Sequence, residues 1–226
     1  MQKSIETYVI GSLRSANESM SQKDLIERLQ SQYLLSFNES NKSYFLALIF
    51  SSLYAAKRYG VDLKLIFMNQ TLLEIPNGEF FFAVGSLGAL SYAAIKACDS
   101  HIYERMILAV CKAYYKKSGD LVGRSYIGGG ALLHNVIDFM NEDISYAKFP
   151  LFSKISFYFF MLVTFVVSIS PYVIGFDYVI RNRFAETIPT NFQLWAVAIL
   201  TFISVLVGVA TLNVHAHGKG NRIESS

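Results

Sequence analysis

The sequence predicts an all-α integral membrane protein with four transmembrane helices, a small extracytoplasmic β-hairpin and a cytoplasmic helical layer. Three observations carry that expectation. Two windows, Ile155 to Phe176 and Leu194 to Leu212, run 22 and 19 residues without a charge, and a bilayer core takes about 20 apolar residues in a helix. The composition is 53% hydrophobic and 15% aromatic with 16% charged residues, against about 25% charged in an ordinary soluble domain. Lysine and arginine are also shared unevenly between the segments that flank the apolar windows, which sets an orientation. The same numbers exclude other classes. High hydrophobicity is the opposite of the disorder signature. Two cysteines, Cys98 and Cys111, cannot staple a chain of this size, and a net charge of +3 is too small to point to nucleic acid.

In chain order, residues 1–41 read as cytoplasmic amphipathic helices, a short one near residues 3–14 and a longer one after it. Ser21 followed by Asp24 makes a capping-box-like start, and Leu25, Ile26, Leu29, Gln32 and Tyr33 fall on one helical face. Residues 42–98 hold the first transmembrane pair. Tyr44 to Ala56 is 13 residues, short for a full span, but Lys57 and Arg58 at its end can snorkel. Phe80 to Ile95 is free of charge for 16 residues and continues past Lys96 to Cys98. Between the two, Val61, Leu63, Leu65 and Phe67 alternate with Asp62 and Lys64, Asn69-Gln70 offers a turn, and Pro76-Asn77-Gly78 closes the segment. Residues 61–75 therefore read as a hairpin.

Residues 99–154 form the cytoplasmic helical loop. His101 to Lys117 places Ile102, Met106, Ala109 and Ala113 at helical spacing before a lysine-rich end that suits a helix C-terminus. Small residues follow, Gly119, Gly123, Gly128, Gly129 and Gly130, and then a second helix over Ala131 to Met140. Residues 155–212 are the second transmembrane pair. Pro171 bends but need not break its first helix, and Tyr158 and Trp195 sit near helix ends, where amphipathic rings favour the interface. Residues 213–226 are a cytoplasmic tail. On this layout the cytoplasmic segments, with Lys42, carry fourteen lysines and arginines, against five outside: Lys57, Arg58, Lys64, Arg181 and Arg183. Both termini are thus expected in the cytoplasm, and the membrane is expected to be a bacterial inner membrane. Residues 1–20 lack an uninterrupted apolar run and a small-residue cleavage site, so the spans themselves are expected to direct insertion.

No string carries strong catalytic chemistry. Gly123 to Gly130, leading into a helix, has the glycine content of a phosphate cradle, yet the Walker lysine is absent and no strand precedes it. A hinge at Gly128, Gly129 and Gly130 is the expectation, with Arg124 as a contact for an anion. His134 and Asp138 lie four apart, but two ligands do not make a metal site. His215 and His217 stand on the tail. Cys98 lies three residues from His101, without the arrangement that activates a nucleophile. No cofactor, metal or enzymatic activity is expected.

The strongest pattern is one of packing. Gly85, Ala89, Ala93 and Ala97 recur every fourth residue, and Ser204 and Gly208 repeat the motif in the last span. Small faces let helices approach closely in lipid, so these six are expected to pack helices or join copies of the chain. Coupled transporters and voltage sensors normally carry charges within their spans, and here such charge is confined to Lys96 near a helix end. The expected function is a non-enzymatic, homo-oligomeric membrane scaffold or sensor subunit. Its cytoplasmic layer, rich in tyrosine at Tyr103, Tyr114, Tyr115, Tyr126 and Tyr146, would dock a soluble cytoplasmic protein, in a setting such as bacterial envelope stress or phage defence. The alternative is an oligomeric pore-forming effector or ion channel, lined by hydroxyl side chains.

Overall fold

The computed structural model describes residues 22–60, 64–65, 70–71, 77–127, 151–183 and 191–220. The described residues hold five α-helices: α1 (Gln22–Arg58), α2 (Gly78–Tyr115), α3 (Gly119–Ile127), α4 (Leu151–Arg183) and α5 (Asn191–Gly220). A short 3₁₀ turn, Lys116–Ser118, joins α2 to α3. All four apolar windows fall inside helices, one each in α1, α2, α4 and α5. Two helices among the described residues, Gly78–Tyr115 and Phe192–Thr211 within α5, are long and apolar enough to cross a membrane.

The helices are longer than the sequence periodicity implies. At about 1.5 Å per residue, α1 and α2 are rods of about 55 Å each, antiparallel and packed along their length. The polar run from Ser36 to Ser43 looks like a break between an amphipathic helix and a span. The structure carries α1 straight through it, because its small polar residues serve close approach: Ser36 is buried and Ser40 Oγ donates to the Ala93 carbonyl at 2.9 Å. Likewise α2 runs through Asp99 and Ser100 without interruption. The two rods end where positive φ angles turn the chain, at Gly60 (φ +69) and at Asn77 (φ 54).

Between the rods the described residues hold a two-residue ladder, β1 (Lys64–Leu65) with β2 (Gln70–Thr71), pairing Lys64 with Thr71 and Leu65 with Gln70. Gln70 is therefore a ladder residue, where the sequence reads as a turn. The rest of the hairpin segment 61–75, residues 1–21 with the Ser21 cap and the first short helix, Gly128 to Gly130 and the helix at Ala131 to Met140 lie outside the described residues.

Two cores share α1 and α2. Near the α1–α2 connection, hereafter the hairpin end, Tyr54, Phe82, Ala83, Leu87, Ile174, Tyr178 and Val197 bring α1, α2, α4 and α5 together. At the opposite, head end, Ile26, Tyr33, Ile107, Val110 and Cys111 join α1 to α2, with Val122, Tyr126 and Ile127 of α3 packed on them. The α1 face matches the sequence reading at Leu25, Ile26, Leu29 and Tyr33, while Gln32 is exposed. On α2 the expected face is met in part: Met106 packs on the core and Ala109 is buried, Tyr103, Ile107, Val110, Cys111 and Tyr114 join them, and Ala113 is exposed. α3 packs on this face. Gly119 sits so close to α2 that a Cβ there would lie 2.5 Å from the Lys112 Cα, and one at Gly123 would meet Leu108 at 2.8 Å. The glycines let α3 fold back on α2, and Gln30 of α1 secures it by donating to the Tyr126 carbonyl at 2.7 Å.

Candidate functional site

Charged side chains collect at two levels of the bundle. At the hairpin end, Tyr54 Oη donates to Asp177 Oδ2 at 2.7 Å, Arg58 Nε stands 3.5 Å from the same carboxylate, and Arg181 pairs with Glu79. This belt ties α1, α2 and α4. Lys57 lies across Gly78, where a Cβ would come within 2.9 Å of its side chain. At the head end, Lys96 Nζ donates to Glu39 at 2.9 Å and faces Asp99 at 3.9 Å. Tyr92 Oη donates to Glu39 at 3.1 Å, and the Lys96 ammonium stands 5.5 Å from the Tyr92 ring centroid. The hydrogen bonds from Lys96 and Tyr92 hold the Glu39 carboxyl below its usual range.

Hydroxyls fill the space between the belts. Ser51 and Ser86 share a hydrogen bond of 2.7 Å, and Ser86 also reaches the Ala47 carbonyl at 3.1 Å. Ser91 and Ser204 meet at 2.6 Å, Ser204 reaches the Leu87 carbonyl at 3.3 Å, and Tyr44 meets Ser168 at 2.8 Å. These bonds fix the register. The pairs Ser91–Ser204 and Cys98–Thr211 are each 113 residues apart, so α2 and α5 run parallel and level. The pairs Tyr44–Ser168 and Tyr54–Asp177 are 124 and 123 apart, so α1 and α4 do the same. Seventeen residues of α2 separate Glu79 from Lys96, a rise of about 26 Å, close to the hydrocarbon thickness of about 30 Å.

Around this interior the surface is apolar. Phe45, Leu46 and Ile49 of α1, Val173, Phe176 and Ile180 of α4, and Trp195, Ile199, Phe202 and Leu206 of α5 are all exposed. Only 17% of the apolar α5 window is buried, whereas the core helix of a water-soluble protein turns such a face inward.

The expected packing residues fall largely within this seam. A Cβ at Gly85 would meet the Phe50 ring at 2.9 Å, and one at Gly208 would meet Tyr172 Oη at 2.8 Å. Ala93 and Ser204 are buried, and Ala89 and Ala97 are half-buried. Gly85, Ala93, Ser204 and Gly208 thus pack helices of one chain together. The glycine-rich string divides differently from its sequence reading, since Gly123 is in mid-helix and its first half is α3; Gly128, Gly129 and Gly130 lie outside the described residues, as does the Arg124 side chain. Of the tyrosines expected to dock a partner, Tyr103, Tyr114 and Tyr126 pack on their own head core, Tyr115 is exposed, and Tyr146 lies outside the described residues.

Reactive groups are placed structurally. Burial pushes the Cys111 thiol up, away from the thiolate that a nucleophile needs, and the Cys98 thiol donates to Thr211 Oγ1 at 3.3 Å. His101 Nδ1 lies 3.2 Å from Glu104. Among the described residues, no three His, Cys, Asp or Glu side chains gather where a metal ion would sit. Sequence reasoning missed Glu39 with Lys96 and Tyr54 with Asp177, pairs 57 and 123 residues apart. The signal lay in position: Glu79, Lys96 and Asp177 each stand at or next to the edge of an apolar window. No protein-family model, no curated protein and no solved structure matches this chain.

Proposed function

We propose that the chain is a non-enzymatic integral membrane protein whose four long helices span the bilayer and whose α1–α2 rods carry a docking head into the cytoplasm. It acts as a scaffold or sensor subunit, coupling the state of the membrane bundle to a soluble protein partner. One observation supports the coupling above others: α1 and α2 run unbroken from the hairpin-end belt to the head core. A displacement of the rods at one end must therefore appear at the other. The membrane reading is supported by the apolar exterior of the bundle, where large apolar side chains stay exposed around an interior whose hydroxyls bond to one another beside an apolar core. The two belts, about 26 Å apart, match the edges of such a slab, and Glu39 and Lys42 then mark the inner edge on α1. The lysine and arginine distribution supports a reading with both termini on the cytoplasmic side, and the membrane we propose is a bacterial inner membrane.

Cysteine labelling tests this topology. In a Cys98→Ala, Cys111→Ala background, Asn69→Cys is expected to react with an impermeant maleimide from outside, and Lys23→Cys only after the membrane is opened. The reverse pattern would invert the orientation, and equal reaction of both in intact cells would end the membrane reading. Since the small-residue seam is used within the chain, the homo-oligomer we propose joins copies through the outer apolar faces. The hydroxyl seam also supports a second reading, an oligomeric pore. Direct hydroxyl contacts of 2.6 and 2.7 Å close the interior of one chain at those levels, so any conduction would run between copies. Reconstituted protein that conducts without a partner would favour the pore over the scaffold.

A further inference from the structure

The turn that joins α2 to α3 is strained. Lys116, at the end of α2, has φ 49 and ψ −117, a combination that suits glycine and that residues with a Cβ rarely adopt. Its side chain is exposed, so the conformation serves the reversal of the chain and not a contact of the lysine. Strain of this kind persists where the surroundings hold it, and here the seat of α3 holds it.

That seat is close and apolar. A Cβ at Gly119 would lie 2.5 Å from the Lys112 Cα, and one at Gly123 would lie 2.8 Å from Leu108 and 3.4 Å from the Cys111 Cβ. Val122, Tyr126 and Ile127 pack on the head core, and Gln30 donates to the Tyr126 carbonyl at 2.7 Å. Cys111, beneath Gly123, is fully buried. With nine residues, α3 is shorter than the roughly 12–15 that an isolated helix needs in water, so its helicity depends on the groove between α1 and α2.

We infer that α3 is a strained internal cover on a helix-docking groove of the head, and that an amphipathic helix of the cytoplasmic partner takes its place. This rests on the docking reading of the head and gives it a surface and a form of partner. What the groove already holds defines the occupant. It is a helix with small residues four apart where its backbone meets α2, as at Gly119 and Gly123, and with apolar residues at the positions of Val122, Tyr126 and Ile127. Release of α3 also frees Lys116 from its glycine-like conformation, so the strain favours the exchange.

Cys111 reports the cover. In a Cys98→Ala chain it is the one remaining thiol, and its alkylation by N-ethylmaleimide, followed by mass in the full chain in nanodiscs, measures how often α3 leaves. Gly119 has an ordinary helical φ of −58, so Gly119→Ala offends the seat and not the backbone; it is expected to raise the rate about tenfold. Gln30→Ala is expected to raise it about threefold, and Lys116→Gly, which removes the strain, to lower it about threefold. A capped peptide with the sequence of residues 119–127, at millimolar concentration, is expected to halve the Gly119→Ala rate, and a scrambled peptide to leave it unchanged. Rates that neither Gly119→Ala nor Lys116→Gly alters overturn the inference, as does an opened groove that the peptide does not protect. Amide exchange of residues 22–35 is expected to stay slow in Gly119→Ala; its loss together with α3 would show that the head unfolds as one, which also overturns the cover. Labelling of Lys23→Cys separates this from failure of the underlying reading, since a head reached from outside the cell cannot serve a cytoplasmic partner, whatever α3 does.

Discussion

The bundle and the head are built from the same two helices, each around an apolar core, and differ in what their outer faces carry. In the head, Ile26, Tyr33, Ile107 and Val110 face inward, while Lys23, Asp24, Glu27, Arg28 and Lys112 face out. In the bundle, Ser51, Ser86, Thr201 and Ser204 are buried, while Phe45, Ile49, Phe202 and Leu206 are exposed. The exchange takes place within a few residues of Glu39 and Lys96, in helices that do not break there. On the membrane reading we propose, a helix changes solvent without changing its backbone: the head is held by removing apolar surface from water, and the bundle by close packing with interhelical hydrogen bonds in lipid.

Substitutions that respect one solvent and offend the other break this comparison, or sharpen it. The largest effect is expected in the head: Ile107→Ala should cost about 2–5 kcal/mol, the range for a fully buried aliphatic truncation. Limited proteolysis should show the head opening while the bundle stays protected; simultaneous loss of both would mean that the two cores unfold as one. Next is Phe202→Asp on the outer face of α5, level with the middle of the bundle. A carboxylate there should disfavour membrane insertion by about 2.5–3.5 kcal/mol, read as loss of protein from the membrane fraction. Unchanged insertion would mean that this face is not in lipid.

Ala93→Leu should be milder, at about 1–3 kcal/mol for overpacking, because Ala93 is buried against Ser40 of α1. Thermal unfolding in detergent should show the loss in the single chain. A wild-type melting curve accompanied by a smaller mass in native mass spectrometry would return this face to contact between copies.

The smallest effect concerns the polarity boundary. Since Lys96 and Tyr92 hold the Glu39 carboxyl below its usual range, the pair contributes above the unfolded value, about pH 4.3. Its contribution is lost as pH falls through the depressed folded value. Glu39→Gln should flatten that part of the stability profile, and an identical acid limb in wild type and variant would show that the pair adds nothing. High salt should mimic the substitution in part, as screening weakens exposed pairs.

Much of the architecture was legible in the residues themselves. Charge-free length marked the stretches of α2 and α5 that lie between the belts, and 3.6-residue spacing marked Leu25, Ile26, Leu29 and Tyr33 as one face. Both signals are local, so a single window holds them. The apolar window at Tyr44 to Ala56 is short, and the polar stretch before it hid the continuity of α1. Continuity there rests on Ser36 and Ser40 fitting against α2, which no window contains.

What the sequence by itself determined is where the chain can be helical and where it can leave water, because propensity, apolar length and charge belong to each segment alone. The tertiary structure decided which neighbour each face meets. Gly85 and Ala93 offer a small surface to any helix, and only the register with Phe50 and Ser40 made it a contact inside one chain. Ala113, spaced for the inward face of α2, is exposed, while Ile107 and Val110 turn inward on the side where α3 packs. Glu39 found Lys96, and Tyr54 found Asp177, because three long helices run level. Pair formation depends on rotation and register between elements, and those are set by the sum of all the contacts along the helices, not by any one segment.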